Sequence, residues 1–327
     1  MNGFDLSTII DAKLGAVSLD SIYLGSNKLW PTIPPDPYSL IPVTIENISD
    51  NDVILTVTGY GSRNYELYYS WPFFKDEYPP SSYDNSHSIH GDTYDFATLV
   101  PGQMIRLWAN DKMSTKSANE YYSIKSDGPI NVYGNAKSLI DMNDYGYSMS
   151  RYCLANYFNG SMVVDASHLV LPDTTLSLGS YHGMFKNCSS LTAVPKLPAT
   201  TLANYCYNTM FANCSSLVSV PSDLLPATTL ATYCYSSMFN GCTSLTTAPV
   251  LPATTLKNNC YRQMFYNASS LTYIKAMFTT TPGTSYTNSW VYGVSATGTY
   301  VKNSAASYTD TGVNAIPSGW TVQTASS

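Results

Sequence analysis

The alternation of apolar and polar positions defines short strands in the first half of the chain. Val43-Thr44-Ile45 and Val53 to Thr58 are β-branched runs separated by a polar turn signal. Two further runs, Met104 to Trp108 and Ile130 to Tyr133, follow Pro-Gly and Asp-Gly turns. Strands of this length and spacing predict a small β-sandwich-like domain over residues 39–145.

Two stretches of this half depart from the alternation. Residues 79–91 are polar and are expected to form a loop, whereas residues 65–74 are rich in aromatic side chains. These rings either fill the domain core or remain exposed, where they could stack on sugars or anchor an interface. The aromatic residues concerned are Tyr68, Tyr69, Trp71, Phe73 and Phe74.

The second half of the chain is repetitive. Copies of a Leu-Pro-x-Thr-Thr-Leu segment are spaced by 26, 28 and 26 residues, and a Met-Phe dipeptide recurs with the same spacings. The segments begin at Leu171, Leu197, Leu225 and Leu251, and the dipeptides at Met184, Met210, Met238 and Met264. A degenerate fifth unit begins near Arg151, where Cys153 and Phe158 repeat the usual five-residue step. This period predicts a leucine-rich-repeat solenoid over residues 146–278.

Equivalent apolar positions in successive units are expected to stack, because one unit cannot bury its apolar side alone. The predicted ladders of the repeat core are Leu191, Leu217, Leu245 and Leu271, and Phe185, Phe211, Phe239 and Phe265. Thr192, Ser219 and Thr246 are expected to face outward. The polar segment 279–327 is expected to cap the open end of the stack.

The N-terminal region is too short to bury a core of its own over residues 1–31. Residues 22–30 read as a strand, a Gly-Ser-Asn turn and a second strand. We therefore expect this module to anchor the chain to a partner through Ile22, Tyr23, Leu24 and Trp30. Residues 32–38 are Pro-rich and predict a semi-rigid linker. The complete prediction is a mainly β protein with an N-terminal β module, a β-sandwich-like domain and the solenoid.

Composition and charge exclude several functions. Charged residues make up 12% of the chain, the net charge is −6 and there are 28 tyrosines. Sixteen Lys and Arg residues provide no basic surface for nucleic acid. No window approaches the ~18 apolar residues of a membrane span, so membrane insertion is not expected. The sequence from Met1 to Asp5 begins no secretory signal, so we expect no export by the ordinary route.

The cysteines suggest buried thiols more strongly than a metal site. Their Cys-x7-Cys spacing is unlike a zinc motif, and free cysteine packs as a small hydrophobic residue. Some disulfide bonding or metal binding stays open at this point. Six cysteines occupy repeat-fixed positions: Cys188, Cys206, Cys214, Cys234, Cys242 and Cys260.

Other candidate chemistry is sparse. His87 and His90 with Asp92 could form part of a metal site, and Asp141 to Gly146 resembles the start of a calcium loop without its final glutamate. A solvated loop and a turn are the simpler readings. Nucleotide-binding glycine motifs and a nucleophile elbow are missing, so we expect no enzymatic activity, no cofactor and no resident metal.

The repeat resembles the BspA-type (Treponema-type) leucine-rich repeat. Its pattern is Cys-Tyr-x-x-Met-Phe-x-x-Cys-x-Ser-Leu, followed by Pro-x-Leu-Pro-Ala-Thr-Thr-Leu, as seen from Cys234 to Leu256. Ile130 to Asn135 is similar to the family's lead-in segment, and Trp290 to Val322 to its C-terminal cap. The resemblance covers about residues 130–327. The segment 22–30 is similar to the start of structural proteins of phages that infect Bacteroidales, including crAss-like phages.

The resemblance implies binding and display. Bacterial members of the family are adhesins with export signals, whereas a phage particle is released by lysis and needs none. We therefore expect a virion protein assembled in the host cytoplasm, of the head-fibre, spike or tail-fibre type. Its expected partners are a capsid, collar or tail protein, further copies in a dimer or trimer, and a host surface protein or glycan. Alternatives are a bacterial surface adhesin and, less favoured, a glycan-processing enzyme.

Overall fold

The computed structural model describes residues 23–24, 27–28, 42–60, 65–74, 85–89, 93–109, 121–140 and 150–325. Within these ranges the protein is mainly β with several sheets and contains no α-helix. A 3-10 turn occupies Ala136–Leu139. The described part of the chain accordingly includes no helix with the length and apolar character needed to span a membrane.

Sixteen short strands make up the sheets. Those of the first half are β1 (Tyr23–Leu24), β2 (Asn27–Lys28), β3 (Val43–Asn47), β4 (Val53–Tyr60), β5 (Tyr65–Tyr69), β6 (Phe73–Phe74), β7 (Asn85–Ile89), β8 (Thr93–Leu99), β9 (Gln103–Ala109), β10 (Tyr121–Ser126) and β11 (Ile130–Asn135). Those of the second half are β12 (Val163–Asp165), β13 (Leu169–Val170), β14 (Tyr273–Ala276), β15 (Thr299–Lys302) and β16 (Thr321–Thr324).

Besides the β1–β2 pair, two sheets are described in the first half. One has the order β10-β4-β8. The other has the order β12-β11-β3-β9-β5-β7; in addition, β6 pairs with β9 and β13 pairs with β11. Alternation in β4 buries Val53, Leu55 and Val57 against residues such as Ile45 and Ile105 of the larger sheet. The strands predicted from the β-branched runs are thus confirmed. The loop predicted for residues 79–91 is wrong over Asn85–Ile89, which pairs with β5 despite its polar sequence.

The N-terminal module contributes one described feature. Strands β1 and β2 pair antiparallel, with Tyr23 opposite Lys28 and Leu24 opposite Asn27. This pairing confirms the two predicted strands; Asn27, which was assigned to the turn, belongs to β2, and Gly25 and Ser26 lie outside the described residues. Ile22 and Trp30, the other expected anchoring residues, lie outside the described residues.

The second half is built from stacked units. In each of the first five units a nine-residue turn segment bonds to the next unit through every second backbone N–H. The N–H groups of Tyr207, Thr209 and Phe211, for example, donate to carbonyls 27 residues ahead at 2.9–3.0 Å. The intervening N–H groups close tight turns within the unit, as from Met210 to the Tyr207 carbonyl at 3.2 Å. The turn segments are 152–160, 179–187, 205–213, 233–241, 259–267 and 285–293.

The stacking extends beyond residue 278, where the sequence pattern loses its period. The N–H of Phe265 donates to the Trp290 carbonyl, and the N–H of Asn267 to the Tyr292 carbonyl. Trp290 is fully buried and occupies the place of a repeat methionine. On the opposite side of the units, β14, β15 and β16 form a parallel sheet, so the segment 279–327 adds further layers to the stack.

The two halves share one sheet and one core. Strand β11 pairs antiparallel with β3 and parallel with β12 and β13, so it belongs both to the larger sheet and to the first layer of the stack. The N–H of Ile124 in β10 also donates to the Tyr157 carbonyl at 2.7 Å. Buried residues form a continuous cluster from Val43 to Trp320. The N-terminal end of the stack is therefore covered by the two sheets.

Candidate functional site

The turn segments contain a regular series of left-handed residues. Each segment has up to three residues with positive φ, four positions apart, such as Tyr205, Thr209 and Asn213 with φ of 59°, 54° and 63°. The third position is always asparagine or glycine, the residues that tolerate this region best. These residues are Gly160, Asn187, Asn213, Gly241, Asn267 and Gly293.

The first left-handed position carries tyrosine in three units. Tyr152, Tyr205 and Tyr233 have φ of 53°, 59° and 56°, whereas the equivalent residues of two other units are Gly179 and Asn259. A bulky side chain in this region costs about 1–2 kcal/mol relative to the right-handed conformation. Because all three rings are only half-buried, core packing does not account for their presence.

These rings form a row on the exposed side of the turn segments, which we call the tyrosine row (Tyr152, Tyr205, Tyr233). The rings of Tyr205 and Tyr233 stack with their centroids 4.7 Å apart and their planes at 8°. The Tyr152 ring covers Gly179, where an added Cβ atom would overlap the Cε1 of that ring. A side chain at position 179 would therefore displace Tyr152.

The surroundings of the tyrosine row are polar and include the cationic side chains of Arg151 and Lys186. Partial burial, with Tyr205 nearby, raises the pKa of Tyr152, so its hydroxyl is protonated at neutral pH. The His182 ring meets Tyr152 edge-on at 6.1 Å, and burial, with repulsion from Lys186, lowers the pKa of His182 to about 4. Tyrosine hydroxyls, amides and a neutral imidazole thus line the surface around the tyrosine row.

A second exposed aromatic pair lies near the C-terminal end. Tyr266 and Tyr292 stack with centroids 4.8 Å apart, and 48% of Tyr292 is exposed. This pair and the tyrosine row were both missed by the sequence analysis. The recurrence of Asn or Gly at the third left-handed position was the available signal for the turns, but nothing in the sequence marked the preceding tyrosines as left-handed.

The predicted ladder residues lie inside the stack. All eight leucine and phenylalanine side chains are fully buried: Leu191, Leu217, Leu245 and Leu271, and Phe185, Phe211, Phe239 and Phe265. The four phenylalanine rings stack with centroids 5.7–5.9 Å apart, and Phe158 adds a fifth ring at 5.5 Å. Thr192, Ser219 and Thr246 are exposed, as predicted.

The aromatic segment of the first half is divided between core and surface. Phe73 is buried beneath Arg106, and Tyr69 packs partly against the core, with its ring 5.2 Å from Phe96. Trp71 is 64% exposed and Phe74 36% exposed. Tyr68 is half-buried. Some rings of this segment therefore fill the core and others remain exposed, so each of the two alternatives holds for part of the segment.

The seven cysteines are all buried free thiols, in agreement with the expected packing role. The Sγ of Cys188, Cys214 and Cys242 each donates to a phenylalanine carbonyl of an earlier unit at 3.0–3.2 Å. Burial raises the pKa of the Cys188 and Cys242 thiols to about 12. These thiols are therefore protonated and unreactive at neutral pH.

Metal sites suggested by the sequence fall largely outside the described chain. His90, Asp92 and residues 141–146 are not among the described residues, and of His87 only the backbone in β7 is described. Among the residues that the structure does describe, no three His, Cys, Asp or Glu side chains are grouped to hold a metal ion.

Comparison with known proteins gives no match: no protein-family model, curated protein or solved structure matches the chain. Its class is therefore defined by its own architecture, a mainly β protein with several sheets and a stack of short repeated units. The tyrosine row is the most distinctive exposed feature of that stack.

Proposed function

We propose that the protein is a structural and adhesive component of a phage virion, of the head-fibre, spike or tail-fibre type, which acts by contact and not by catalysis. In this proposal residues 1–31 attach to a capsid, collar or tail protein, and the chain assembles as a homo-oligomer in the host cytoplasm. We interpret the two sheets as a β-sandwich-like domain and the stacked units as a leucine-rich-repeat solenoid of the BspA type. The sequence resemblance over residues 130–327 supports this interpretation.

The tyrosine row is the observation that supports a role in contact with a host surface. Three aromatic residues accept an unfavourable backbone conformation although their rings remain half-exposed. Such strain is retained where it serves function more than stability. Tyrosines on a rigid scaffold provide broad contact area at a low cost in side-chain entropy. A surface of tyrosine rings and hydroxyls fits a host-surface glycan, on which aromatic faces can stack.

The contact role can be tested without unfolding the protein. The double variant Tyr205→Asn and Tyr233→Asn places at both positions the residue that the next unit already uses at Asn259. Because asparagine tolerates the left-handed region, we expect unchanged or higher thermal stability. Binding to host cells and to arrayed glycans should fall at least tenfold.

A matched control is Val218→Asn, which alters an exposed residue outside the turn segments. We expect this variant to bind as the unmodified protein does. Equal binding by the unmodified protein and the double variant would show that the tyrosine row is not the contact surface.

The virion assignment needs a separate experiment. Mass spectrometry of purified virions and immunogold labelling should detect the protein on phage particles, and the position of the label distinguishes head from tail. Label on bacterial envelopes with none on particles would instead support the bacterial adhesin.

A further inference from the structure

The turn segments contain no acidic residue, although the chain as a whole carries a net charge of −6. Positive side chains do occur there: Lys186 and Arg262 lie within the segments, and Arg151 and Lys257 lie within two residues of a segment. The acidic residues of 150–325 belong to other parts of the units and are Asp165, Asp173, Asp223 and Asp310. The side of the stack formed by the turn segments, which we call the turn face, is therefore cationic in an acidic protein.

Two of these cations lie at the N-terminal end of the tyrosine row, where the His182 and Tyr152 rings meet edge-on at 6.1 Å. Burial raises the pKa of Tyr152 and Arg151 opposes this shift, whereas burial lowers the pKa of His182 and Lys186 adds to it. Each cation is therefore close to one of the two rings. Within the described residues neither cation has a carboxylate partner, since the buried ion pair of the chain is formed by other residues.

Hydrogen bonds between the first two units hold this end of the row in place. The N–H of Tyr152 donates to a carbonyl of the second unit at 2.8 Å. The carbonyls of His182 and Lys186 accept from N–H groups of the first unit at 2.7 and 2.8 Å. Both rings and both cations thus extend from an ordered backbone, so a ligand that binds there needs to order only side chains.

A further cation lies towards the other end of the row. Arg262 is half-buried and occupies in the fifth unit the position that His182 occupies in the second. Because neighbouring layers are about 4.8 Å apart, these two units are separated by about 14 Å. The stacked rings of Tyr205 and Tyr233 belong to the two layers between them. An extended chain of sugars along the row would therefore meet cations at both ends and aromatic rings in the middle.

We propose that the turn face binds an anionic polysaccharide, whose sulfate or carboxylate groups contact Arg151, Lys186 and Arg262 while its sugar rings stack on the tyrosine row. Charge-assisted hydrogen bonds from lysine and arginine suit both anions, and no carboxylate of the turn segments repels them. Nucleic acid fits less well, because phosphate recognition commonly uses about 6–10 cations and the turn face has four. This inference rests on the proposed glycan contact and adds the charge of the glycan.

Three forms of one polysaccharide separate recognition of charge from recognition of sugar. Dextran, carboxymethyl dextran and dextran sulfate share a backbone and differ in the charged group. In surface binding measurements, the full chain should bind at least one anionic form about tenfold more tightly than dextran, and the preferred form distinguishes carboxylate from sulfate. Equal binding to all three would overturn the inference and leave the glycan contact intact. A lack of binding to any form would contradict both.

The double variant Arg151→Gln and Lys186→Gln tests the position of the site. Both side chains are at least partly exposed, so thermal stability should not change. Binding to the preferred anionic dextran should fall about tenfold or more, whereas binding to dextran should remain as it was. The control variant Lys196→Gln and Lys275→Gln removes the same charge outside the turn segments and should bind as the unmodified protein does.

Two outcomes would overturn the proposed occupant or its position. Equal losses in the two double variants would mean that the anionic dextrans respond to net charge alone. Tighter binding to an oligodeoxythymidine than to either anionic dextran would identify nucleic acid as the ligand of the turn face.

Discussion

Buried tyrosine hydroxyls form an unusual polar line through the stack. The rings of four fully buried tyrosines, one from each of four consecutive units, stack with centroids 5.7–6.1 Å apart: Tyr181, Tyr207, Tyr235 and Tyr261. The hydroxyls of Tyr207, Tyr235 and Tyr261 have no hydrogen-bond partner in the described part of the chain, whereas Tyr181 lies beside the Asp173 carboxyl group. Burial raises the pKa of each well above its usual value, so these hydroxyls stay protonated.

Removal of one such hydroxyl should not destabilise the protein. A buried polar group without a partner costs about 1–3 kcal/mol, so we expect Tyr235→Phe to leave the free energy of unfolding unchanged or to raise it by about 1 kcal/mol. Tyr300→Phe is the matched control, since the Tyr300 and Tyr308 hydroxyls are 3.1 Å apart, and should cost about 1 kcal/mol. Urea denaturation measures both. A similar loss in the two variants would mean that the Tyr235 hydroxyl is hydrogen-bonded.

His182 should make stability depend on pH. Burial lowers its pKa from 6.5 to about 4, so between these values the unfolded chain binds more protons than the folded chain. Stability should therefore fall as the pH decreases from about 6.5 to about 4, by at most about 1.4 kcal/mol per pH unit from this residue. His182→Gln should flatten that part of a curve of unfolding free energy against pH. An unchanged slope in the variant would show that His182 titrates normally in the folded protein.

The left-handed backbone conformation could be predicted from the sequence at some positions of the turn segments and not at others. The Asn or Gly at positions such as Asn213 and Gly241 is a recognisable turn signal, because these residues tolerate positive φ. Tyr205 and Tyr233 carry no such signal, since tyrosine favours strands. Their conformation is imposed by the stacking of the units on either side.

The units derive their stability from burial between layers. Leu217 is fully buried in the leucine ladder, whereas the adjacent Val218 is 54% exposed. Leu217→Ala should lower the free energy of unfolding by about 2–5 kcal/mol through lost burial and a cavity. Val218→Ala should change it by less than about 0.5 kcal/mol. Chemical denaturation of both variants tests the ladder, and equal effects would contradict stacking at this position.

The sequence predicted the stacked elements correctly where the same residues recur at a fixed period. It missed the layer in which other residues replace them. The Leu and Phe ladders follow from identity at a fixed period, because equivalent residues in stacked units must meet. The next layer escaped notice because Trp290 and Val291 stand in place of the Met-Phe pair. Strand β7 was predicted as a loop because Asn85–Ile89 has little apolar character and gains its order by pairing with β5.

At the scale of the whole molecule, a buried ion pair couples the two halves. The Lys137 Nζ lies 2.8 Å from the Asp173 Oδ1, and only 5% and 14% of the two side chains are exposed. Lys137 follows β11, whereas Asp173 belongs to the first unit of the stack. Burial raises the pKa of Asp173, and Lys137 partly opposes this shift.

Loss of the cation should therefore destabilise both halves together. Lys137→Met leaves the Asp173 carboxylate without its partner and should cost about 3–5 kcal/mol. The double variant Lys137→Met and Asp173→Leu should recover most of that loss, because no charge is left buried. A double-mutant cycle by denaturation, followed by fluorescence and circular dichroism, measures the coupling. Additive effects of the two substitutions would show that the pair is not coupled.

The overall connection between the halves was beyond the reach of sequence patterns. The segment Ile130–Asn135 has the alternation of any half-buried strand, and alternation does not reveal that the strand has antiparallel and parallel neighbours at once. The sequence patterns suggested separate domains, because a region of short β-branched strands precedes a periodic one. The continuous core from Val43 to Trp320 results from long-range pairing.

The bonds between units give the protein a directional response to mechanical load. Backbone hydrogen bonds from one unit to the next run along the stack, so tension between its ends would load one layer of bonds at a time. The sheets brace the N-terminal layer, whereas within the described ranges β16 has a neighbouring strand on one side only. Peeling would therefore start at the C-terminal end, and each released unit of 26–28 residues would lengthen the chain by roughly 90 Å. Under such a load the stack would yield stepwise while its braced end stays folded.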